Sequence, residues 1–539
     1  MTYQLGSNNL LEIEVYRGEP PSVSERYGSG TLIQGLQERV AFAFAVHKAA
    51  HARVFIDDIE IYPRAGGRYE WTPSFIAGRV EVVICQTTRP DAIFHLEVDA
   101  AESKLAAGQY DLMADEIQRH RAALLLDNTA ALREFGTDAQ NCKFEALIRL
   151  ARLYRYAPAF LKQVEKISFR PHKMIQPISR SIPLAQVKRL TPASLRDPRI
   201  AHFANDPAVA AESLSSTWVN ATGLMPTFDS PSNRALKSLM TRMAAQISTL
   251  MVNVQQGRLG GDKEEQEQRR PYREQQLQHL LKQINGLLRA EPFSSVSRVE
   301  TTAASLIQIS AQPEYSSAYR NGMRALWLGF EGSNMRDHLP VKPTWGIYEA
   351  WCFVRLLASL SQRFDGAVWK SIVDGAIKAD ESYTISLGGA NLELHFQASF
   401  SPVSSNTARQ AGWSLSRQRY PDIIAVLRQG DHSEFVVLDA KYRRHRSNVL
   451  DAMESAHIYH DSLRIGTRRP EFCALLLPAE ADVIHLEDAD FLTEHRVGTI
   501  SEFCPDGKGV DRCMQLIMEW AGRPAFKGIE SGLYSATQE

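Results

Sequence analysis

The sequence predicts a multidomain α/β protein: a β-rich N-terminal domain, a mainly helical middle domain with a long helical hairpin, and a C-terminal α/β domain built on a mixed sheet. Three observations carry this. A chain of 539 residues and 60.4 kDa exceeds what a single core organises, so about two to four domains are expected. The spacing of apolar residues changes twice, from short alternating runs to helical stripes and then to a mixture of both. Hydrophobic residues at 44% and charged residues at 23% lie near globular averages, which excludes disordered and fibrous classes.

Residues 1–110 read as β-rich, for recognition or partner docking. Runs such as "LEIEVYRG", "RVEVVICQ" and "AIFHLEVDA" are separated by Gly, Pro and Asp, the pattern of a small barrel or sandwich. Residues 111–335 read as helical, with Phe144, Leu147, Leu150 and Leu153 at helix spacing. Within them, a helical arm is expected over about 232–289. Leu236, Leu239, Met240, Met243, Ile247 and Leu250 form one stripe, and Leu277, Leu280, Leu281, Ile284 and Leu288 another. The connection "QQGRLGGDKEEQEQRRPYREQQ" reads as an exposed tip with a helix starting at Pro271, either a solvated connection or a partner contact. Residues 336–539 alternate helix ("GIYEAWCFVRLLASLSQRF"), strand ("NLELHFQAS"), two apolar strands, helix ("NVLDAMESAHIYHDSLRI"), strand ("PEFCALLLP"), and a further strand and helix, an α/β order.

The first residues lack a basic segment followed by an apolar one, and no run approaches the ~18 apolar residues of a membrane span, so a cytoplasmic chain without membrane contact is expected. Six cysteines without a CxxC pair read as reduced core residues. A formal net charge of -1 gives no whole-chain attraction to nucleic acid, so any such affinity must come from a local patch.

The stretch "RYPDIIAVLRQGDHSEFVVLDAKYRRHR" carries the chemistry. If Gly430 and Asp431 form a two-residue turn, Gln429 faces His432 and the count outward sets Asp422 across from Asp439. Opposed carboxylates repel, so a positive group is required between them. Lys441 shares a face with Asp439 because strand side chains alternate. Glu349 shares a helical row with Phe353, Leu356 and Leu360, which places a carboxylate at the end of a buried stripe. Carboxylate oxygens from Asp422, Asp439 and Glu349, with positions left for water and phosphate, suit Mg²⁺, for which Mn²⁺ is an expected substitute. With Lys441 to handle water, the set fits phosphodiester hydrolysis.

Helix glutamate, Pro-Asp opening an apolar strand, a second strand ending in D-x-K, and a following helix resemble, in that order, the PD-(D/E)xK nuclease superfamily, which implies a restriction-endonuclease-like C-terminal domain and catalytic roles for Asp422, Asp439, Lys441 and Glu349. "DAMESAHIYHDSL", with Met453, Tyr459 and Asp461, and "YEAW" at Tyr348 to Trp351 resemble McrC-like nuclease subunits of prokaryotic restriction and defence systems. "FDSPSNRALKSLM" resembles the helix start of the middle domain that accompanies them, through Asp229, Pro231, Asn233 and Arg234, with Ser232 replacing the usual Glu. The resemblance implies a Mg-dependent DNA endonuclease gated by an AAA+ NTPase encoded nearby, because the chain has no GxxxxGK[ST] loop of its own. Homo-oligomerisation stays open.

Tyr459, Asp461 and His457 are expected to support the site, although His457 and Tyr459 fit packing against the hairpin equally well. His432 and His445 read as surface residues. Between Arg409 and Arg446, eight Arg or Lys stand against four Asp or Glu, and Arg417, Arg419, Arg443, Arg444 and Arg446 are the expected DNA-binding residues. Two rival readings remain, a non-cleaving DNA- or protein-binding subunit that keeps the fold, and a metal-dependent RNase.

Overall fold

The computed structural model describes residues 12–522 apart from 18–22, 48–51, 65, 87–90, 102–103, 107, 128–131, 136–143, 188–194, 197, 199, 201–217, 261–262, 327–336, 365–367, 374, 388, 404–411 and 431. The protein is a multidomain α/β chain with a β-rich N-terminal region, a helical middle and a C-terminal mixed sheet, as its sequence predicts. Two compact units divide it. One contains residues 1–144, 260–269 and 330–539, and the other 145–259 and 270–329.

In the first unit, the alternating runs near the N-terminus form two sheets. One orders the strands Val23–Gly28, Glu12–Arg17, Phe42–His47 and Arg68–Trp71. The other runs from Asp337–Pro340 through Leu132–Phe135, Gly78–Cys85 and Arg53–Ile56 to Ile59–Ile61, with Ala92–Asp99 and Leu32–Gln37 added beside it. Ile13, Val15, Phe42 and Phe44 of the first sheet share one core with Val54, Val80, Phe94 and Leu96 of the second. Of the two architectures the sequence left open, this is the sandwich. The strand Asp337–Pro340 comes from far along the chain, immediately before the helix Thr344–Arg363, and its pairing with Leu132–Phe135 ties the sandwich to that helix.

The C-terminal sheet orders Lys370–Ser371, Glu381–Leu387, Ala390–Phe396, Ile423–Gln429, His432–Ala440, Cys473–Leu476 and Val497–Ile500. Pairing is antiparallel as far as His432–Ala440 and parallel beyond it. One face, with Ile424, Val426, Phe435, Val437 and Leu475, packs against Val449, Ala452, Met453 and Ala456 of the helix Arg446–Ser462. That helix stops three residues short of the expected Ile465, because Leu463–Ile465 turns extended to pair with Gly412–Ser414. Cys142 lies outside the described residues; the other five cysteines are free, and four of them are buried.

The segment Gly260–Arg269 also groups with the first unit. Here the structure corrects the expected tip: the helix starts at Lys263, and Pro271 lies inside it. A proline within a helix forfeits a hydrogen bond and crowds the preceding turn, but the turn before this one is pinned. Arg269, buried, donates from Nε to Asp57 Oδ2 at 2.9 Å and from Nη1 to Glu265 at 2.9 Å. Part of the tip is therefore a structural contact within the chain, and the second of its adjacent glycines lies outside the described residues.

In the second unit, the expected stripes become the helices Glu145–Phe169, Pro231–Gln255 and Lys263–Arg289, the last counted here from Arg270 onward. Leu236, Leu239, Met240, Met243, Ile247 and Leu250 are buried together with Leu277, Leu280 and Ile284. A ribbon of Met174–Pro183 paired with Trp218–Thr227 has no counterpart in the sequence reading, because its largely exposed side chains give no alternation to detect.

The "DSPSNR" segment is a helix-start clamp. Ser230 caps the helix by accepting from the Asn233 N–H, and Pro231 takes the first helical position. Arg234 grips Asp229 with two bonds, of 2.7 and 3.0 Å, and reaches Glu300 at 3.1 Å. Asn233 donates to the carbonyls of His172 and Phe228 and accepts from the Tyr315 hydroxyl at 2.7 Å. The hydrogen bonds from Arg234 lead in lowering the Asp229 carboxyl to about 2, and the Ser297 hydroxyl and N–H assist. A depressed carboxyl contributes stability that is present above its ordinary value of 3.8 and lost as pH falls through about 2. Asp229→Ala is therefore expected to cost about 2 kcal/mol at pH 7, with the gap to wild type closing as pH falls from 3.8 toward 2 in pH-resolved unfolding curves.

Candidate active site

Gly430, with φ of 58°, makes the tight turn between the two central strands, and Asp431 lies outside the described residues. The register runs from Gln429 opposite His432 to Ile423 opposite Leu438. One step further would oppose Asp422 and Asp439, but the ladder ends first. Instead the Ala440 N–H donates to Asp422 Oδ2 at 3.0 Å, drawing the Asp422 carboxylate onto the end of the neighbouring strand. The Lys441 ammonium bridges the pair, with Nζ 2.7 Å from Asp439 Oδ2 and 3.5 Å from Asp422 Oδ2. Ser455, on the helix Arg446–Ser462, donates to Asp439 Oδ2 at 2.8 Å.

Glu349 enters from the helix Thr344–Arg363, whose apolar side buries Trp351, Phe353, Leu356 and Leu360. The helix is held in place by bonds from the "YEAW" residues, from the Tyr348 hydroxyl to the Phe503 carbonyl at 3.0 Å and from the Trp351 indole to Glu116 at 2.8 Å. Glu349 joins the aspartates through Gln397, whose Nε2 lies 3.0 Å from Glu349 Oε2 and 3.2 Å from Asp422 Oδ1. Gln397 follows the strand Ala390–Phe396 with a left-handed φ of 53°, a strained conformation for a residue with a side chain. Its backbone N–H also donates to the Asp422 carbonyl at 2.7 Å.

Charge is crowded here. Burial pushes the Asp422 carboxyl well above its ordinary value, and the charges of Asp439 and Glu349 push it further against the pull of Lys441. Burial also raises Glu349, to about 7, although Lys441, Lys342 and the Gln397 amide act to lower it. For Lys441 burial acts downward, but Asp422 and Asp439 outweigh it, so the group is raised and stays an ammonium. Asp439 Oδ1 is buried and has no hydrogen-bond partner among the described residues. An orphaned carboxylate oxygen beside a second repelled carboxylate fits a divalent cation, with water and phosphate oxygens completing its shell. Among the described residues, no group of three or more His, Cys, Asp or Glu is gathered closely enough to hold a metal ion. The pair assembled directly is Asp422 and Asp439, and Glu349 stands one side chain away.

The expected supporting residues separate. Tyr459 lies near the aspartates; burial raises its hydroxyl, as do the charges of Asp439 and Asp422, and the hydroxyl donates to the Tyr420 carbonyl at 3.2 Å. His457 and Asp461 do not reach the cluster. A helix turns ~100° per residue, so positions two either side of Tyr459 point away from its face; both are exposed, and Asp461 meets His460 at 3.2 Å. Arg443 and Arg444 line a cavity of about 860 Å³ together with Glu349 and Lys441. Arg417 and Arg446 are exposed and outside that lining, while Arg419 buries an Nε without a partner among the described residues. His445 is exposed, as expected, and His432 is half-buried against Glu434. Gln397 and Ser455 were missed in the sequence; the only signal for Gln397 is a polar residue ending an apolar strand.

Residues 346–482 match the PD-(D/E)XK nuclease superfamily, so the C-terminal region carries a nuclease-superfamily domain. Residues 74–321 match a domain of unknown function, DUF2357. None of the curated proteins compared with the chain matches it. No helix among the described residues is long and apolar enough to cross a membrane.

If Asp422 and Asp439 take up a divalent cation, millimolar Mg²⁺ or Mn²⁺ should raise the melting temperature of the wild-type chain by about 2–5 °C. Asp439→Asn should lose that response and, without divalent cations, should melt no lower than wild type, because the substitution removes a like charge beside Asp422. An undiminished cation response in the variant would place the cation elsewhere.

Proposed function

We propose, on the premise that residues 346–482 form a nuclease-superfamily domain, that the chain is a Mg-dependent DNA endonuclease subunit of a prokaryotic restriction or anti-phage defence system. The observation that carries the catalytic part is the Lys441 ammonium set between two carboxylates at 2.7 and 3.5 Å, at the open end of the sheet. Mg²⁺, with Mn²⁺ as a substitute, held by Asp422 and Asp439, would supply positive charge where the scissile phosphate becomes more negative.

The remaining roles belong to the chain's own groups. Lys441, fully charged and only partly exposed, orients the attacking water and steadies the charge that develops on the phosphate oxygens. Ser455 fixes the rotamer of Asp439 through Oδ2, leaving Oδ1 free to bind. Gln397 holds Glu349 and Asp422 in one relative position. Glu349, held beside Asp422 through Gln397, would complete or support the cation's shell. Arg443 and Arg444 offer positive charge to the flanking phosphates without reading sequence.

The defence context and gating by an AAA+ NTPase rest on the McrC-like likeness of three stretches: the helix with Met453, Tyr459 and Asp461, the "YEAW" of Tyr348 to Trp351, and the helix start with Asp229, Pro231, Asn233 and Arg234. In the first of them, Met453 is buried in the sheet–helix core and Asp461 is exposed, so of those three residues Tyr459 alone sits beside the acids.

Supercoiled plasmid should be nicked with Mg²⁺ and left intact with EDTA. Asp439→Ala and Lys441→Ala should each lower the rate by roughly a thousandfold or more, a loss of about 4 kcal/mol of transition-state stabilisation. Parallel assays on single-stranded DNA and RNA decide the substrate class. Binding without cutting of any of them would favour the non-cleaving reading, and full activity in Asp439→Ala would remove that residue from the mechanism.

A further inference from the structure

The cavity of about 860 Å³ that Glu349 and Lys441 line has a second wall, supplied by the N-terminal sandwich through Glu38, Arg39, Phe75 and Lys104. The wall is tied to the nuclease helix. The Thr344 N–H donates to the Phe75 carbonyl at 2.9 Å, and the Thr344 hydroxyl donates to Glu38. Five basic residues line the cleft, Arg39, Lys104, Lys441, Arg443 and Arg444, against two acids, Glu38 and Glu349. Glu38 is already engaged, because it also accepts from the Ala101 N–H at 3.3 Å.

Arg39 and Lys104 make no ion pair among the described residues; their guanidinium and ammonium groups lie over aromatic rings. Arg39 is 5.6 Å from the centre of Phe75, and Lys104 is 5.0 Å from Phe75 and 4.3 Å from Tyr442. Rings orient a cation without neutralising it, and although Glu38 attracts both groups from nearby, five Arg and Lys side chains against Glu38 and Glu349 leave the cleft a positive excess for an anion. Tyr442, in the same lining and 5% exposed, has a hydroxyl with no partner among the described residues. Arg39 and Phe75 both hold left-handed backbone, with φ of 64° and 51°. For Arg39 the conformation closes the tight turn after Leu32–Gln37, with the Val40 N–H donating to the Gln37 carbonyl at 3.3 Å, and it fixes where the side chain leaves the wall. Trp345, 46% exposed and one helical turn before Glu349, adds a bare aromatic face to the cleft.

We propose that the sandwich wall is part of the substrate site: Arg39 and Lys104 bind backbone phosphates of the nucleic-acid strand leading to the cut, and Trp345 stacks on one of its bases. The proposal rests on the nuclease reading for its substrate. It assigns to the N-terminal domain a direct hold on the strand beside the catalytic cluster.

The test uses the full chain and fluorescein-labelled 20-mers of single-stranded DNA, duplex DNA and RNA, with anisotropy measured in EDTA so that nothing is cut. The double variant Arg39→Ala/Lys104→Ala should weaken binding by at least about tenfold and reduce the log–log salt slope by about 1.4 to 1.8 units, the loss of two phosphate contacts. Arg39→Lys/Lys104→Arg, which keeps both charges, should retain the slope. Trp345→Ala should weaken single-stranded binding by about tenfold with the slope unchanged. Cutting is read separately, in the plasmid assay with Mg²⁺, where wild type and the double variant are compared at saturating protein. A double variant with wild-type affinity and slope, in a chain that does bind and cut, overturns the inference while leaving the nuclease reading intact. A wild-type chain that binds but never cuts, and whose double variant binds weakly, keeps the inference and overturns the reading. No binding by the wild type to any of the three probes overturns both.

Discussion

Lys441 lies between two buried carboxylates whose like charges repel, and the end of the C-terminal sheet is organised around that contact. Asp422 and Asp439 are 6% and 2% exposed, so neither can shed its charge into water. The ammonium satisfies one oxygen of each, the Ala440 N–H and the Gln397 amide satisfy Asp422, and Ser455 satisfies Asp439. One oxygen, Asp439 Oδ1, remains unpaired among the described residues. Buried ion clusters are costly to assemble and more costly to leave half-made. The unpaired oxygen and the crowded charge set this sheet end apart from an ordinary stabilising ion pair.

The demand for that geometry reaches through the first unit. Glu349 is useful only if its helix keeps its rotation, and Tyr348 and Trp351 lock it through the Phe503 carbonyl and Glu116. The same helix follows the strand Asp337–Pro340, which completes a sheet of the N-terminal sandwich. Sandwich, helix and sheet end are therefore one mechanical assembly, and the sandwich cannot shift without disturbing the cleft that it helps to line.

The second unit spends its most distinctive residues on its own stability. Asp229, Asn233 and Arg234 have the charge and polarity of a functional motif, yet each is consumed by hydrogen bonds that close the start of one helix over its neighbours. Arg269 likewise has the look of a surface contact and is buried against Asp57 within the first unit. Among the described residues these side chains hold the fold together, whatever their likeness to a motif.

By itself the sequence determined the features that depend on neighbours along the chain. Alternating and helical apolar spacings predicted the elements, and the glycine turn set the hairpin register, because a two-residue turn leaves the strands no freedom to slip. That register brought Asp422, Asp439 and Lys441 together, and the buried row on its helix aimed Glu349 at them. Tertiary structure decided the rest. Gln397, Ser455, Arg39 and Lys104 lie on separate elements, and no periodicity relates them to the hairpin. Which face of the helix Arg446–Ser462 met the acids depended on how Val449, Met453 and Ala456 packed against the sheet, so Ser455 and Tyr459 turned inward while His457 and Asp461 turned out. Local spacing prescribes an element and its apolar side; which polar groups face each other across a core is settled only when the whole core closes.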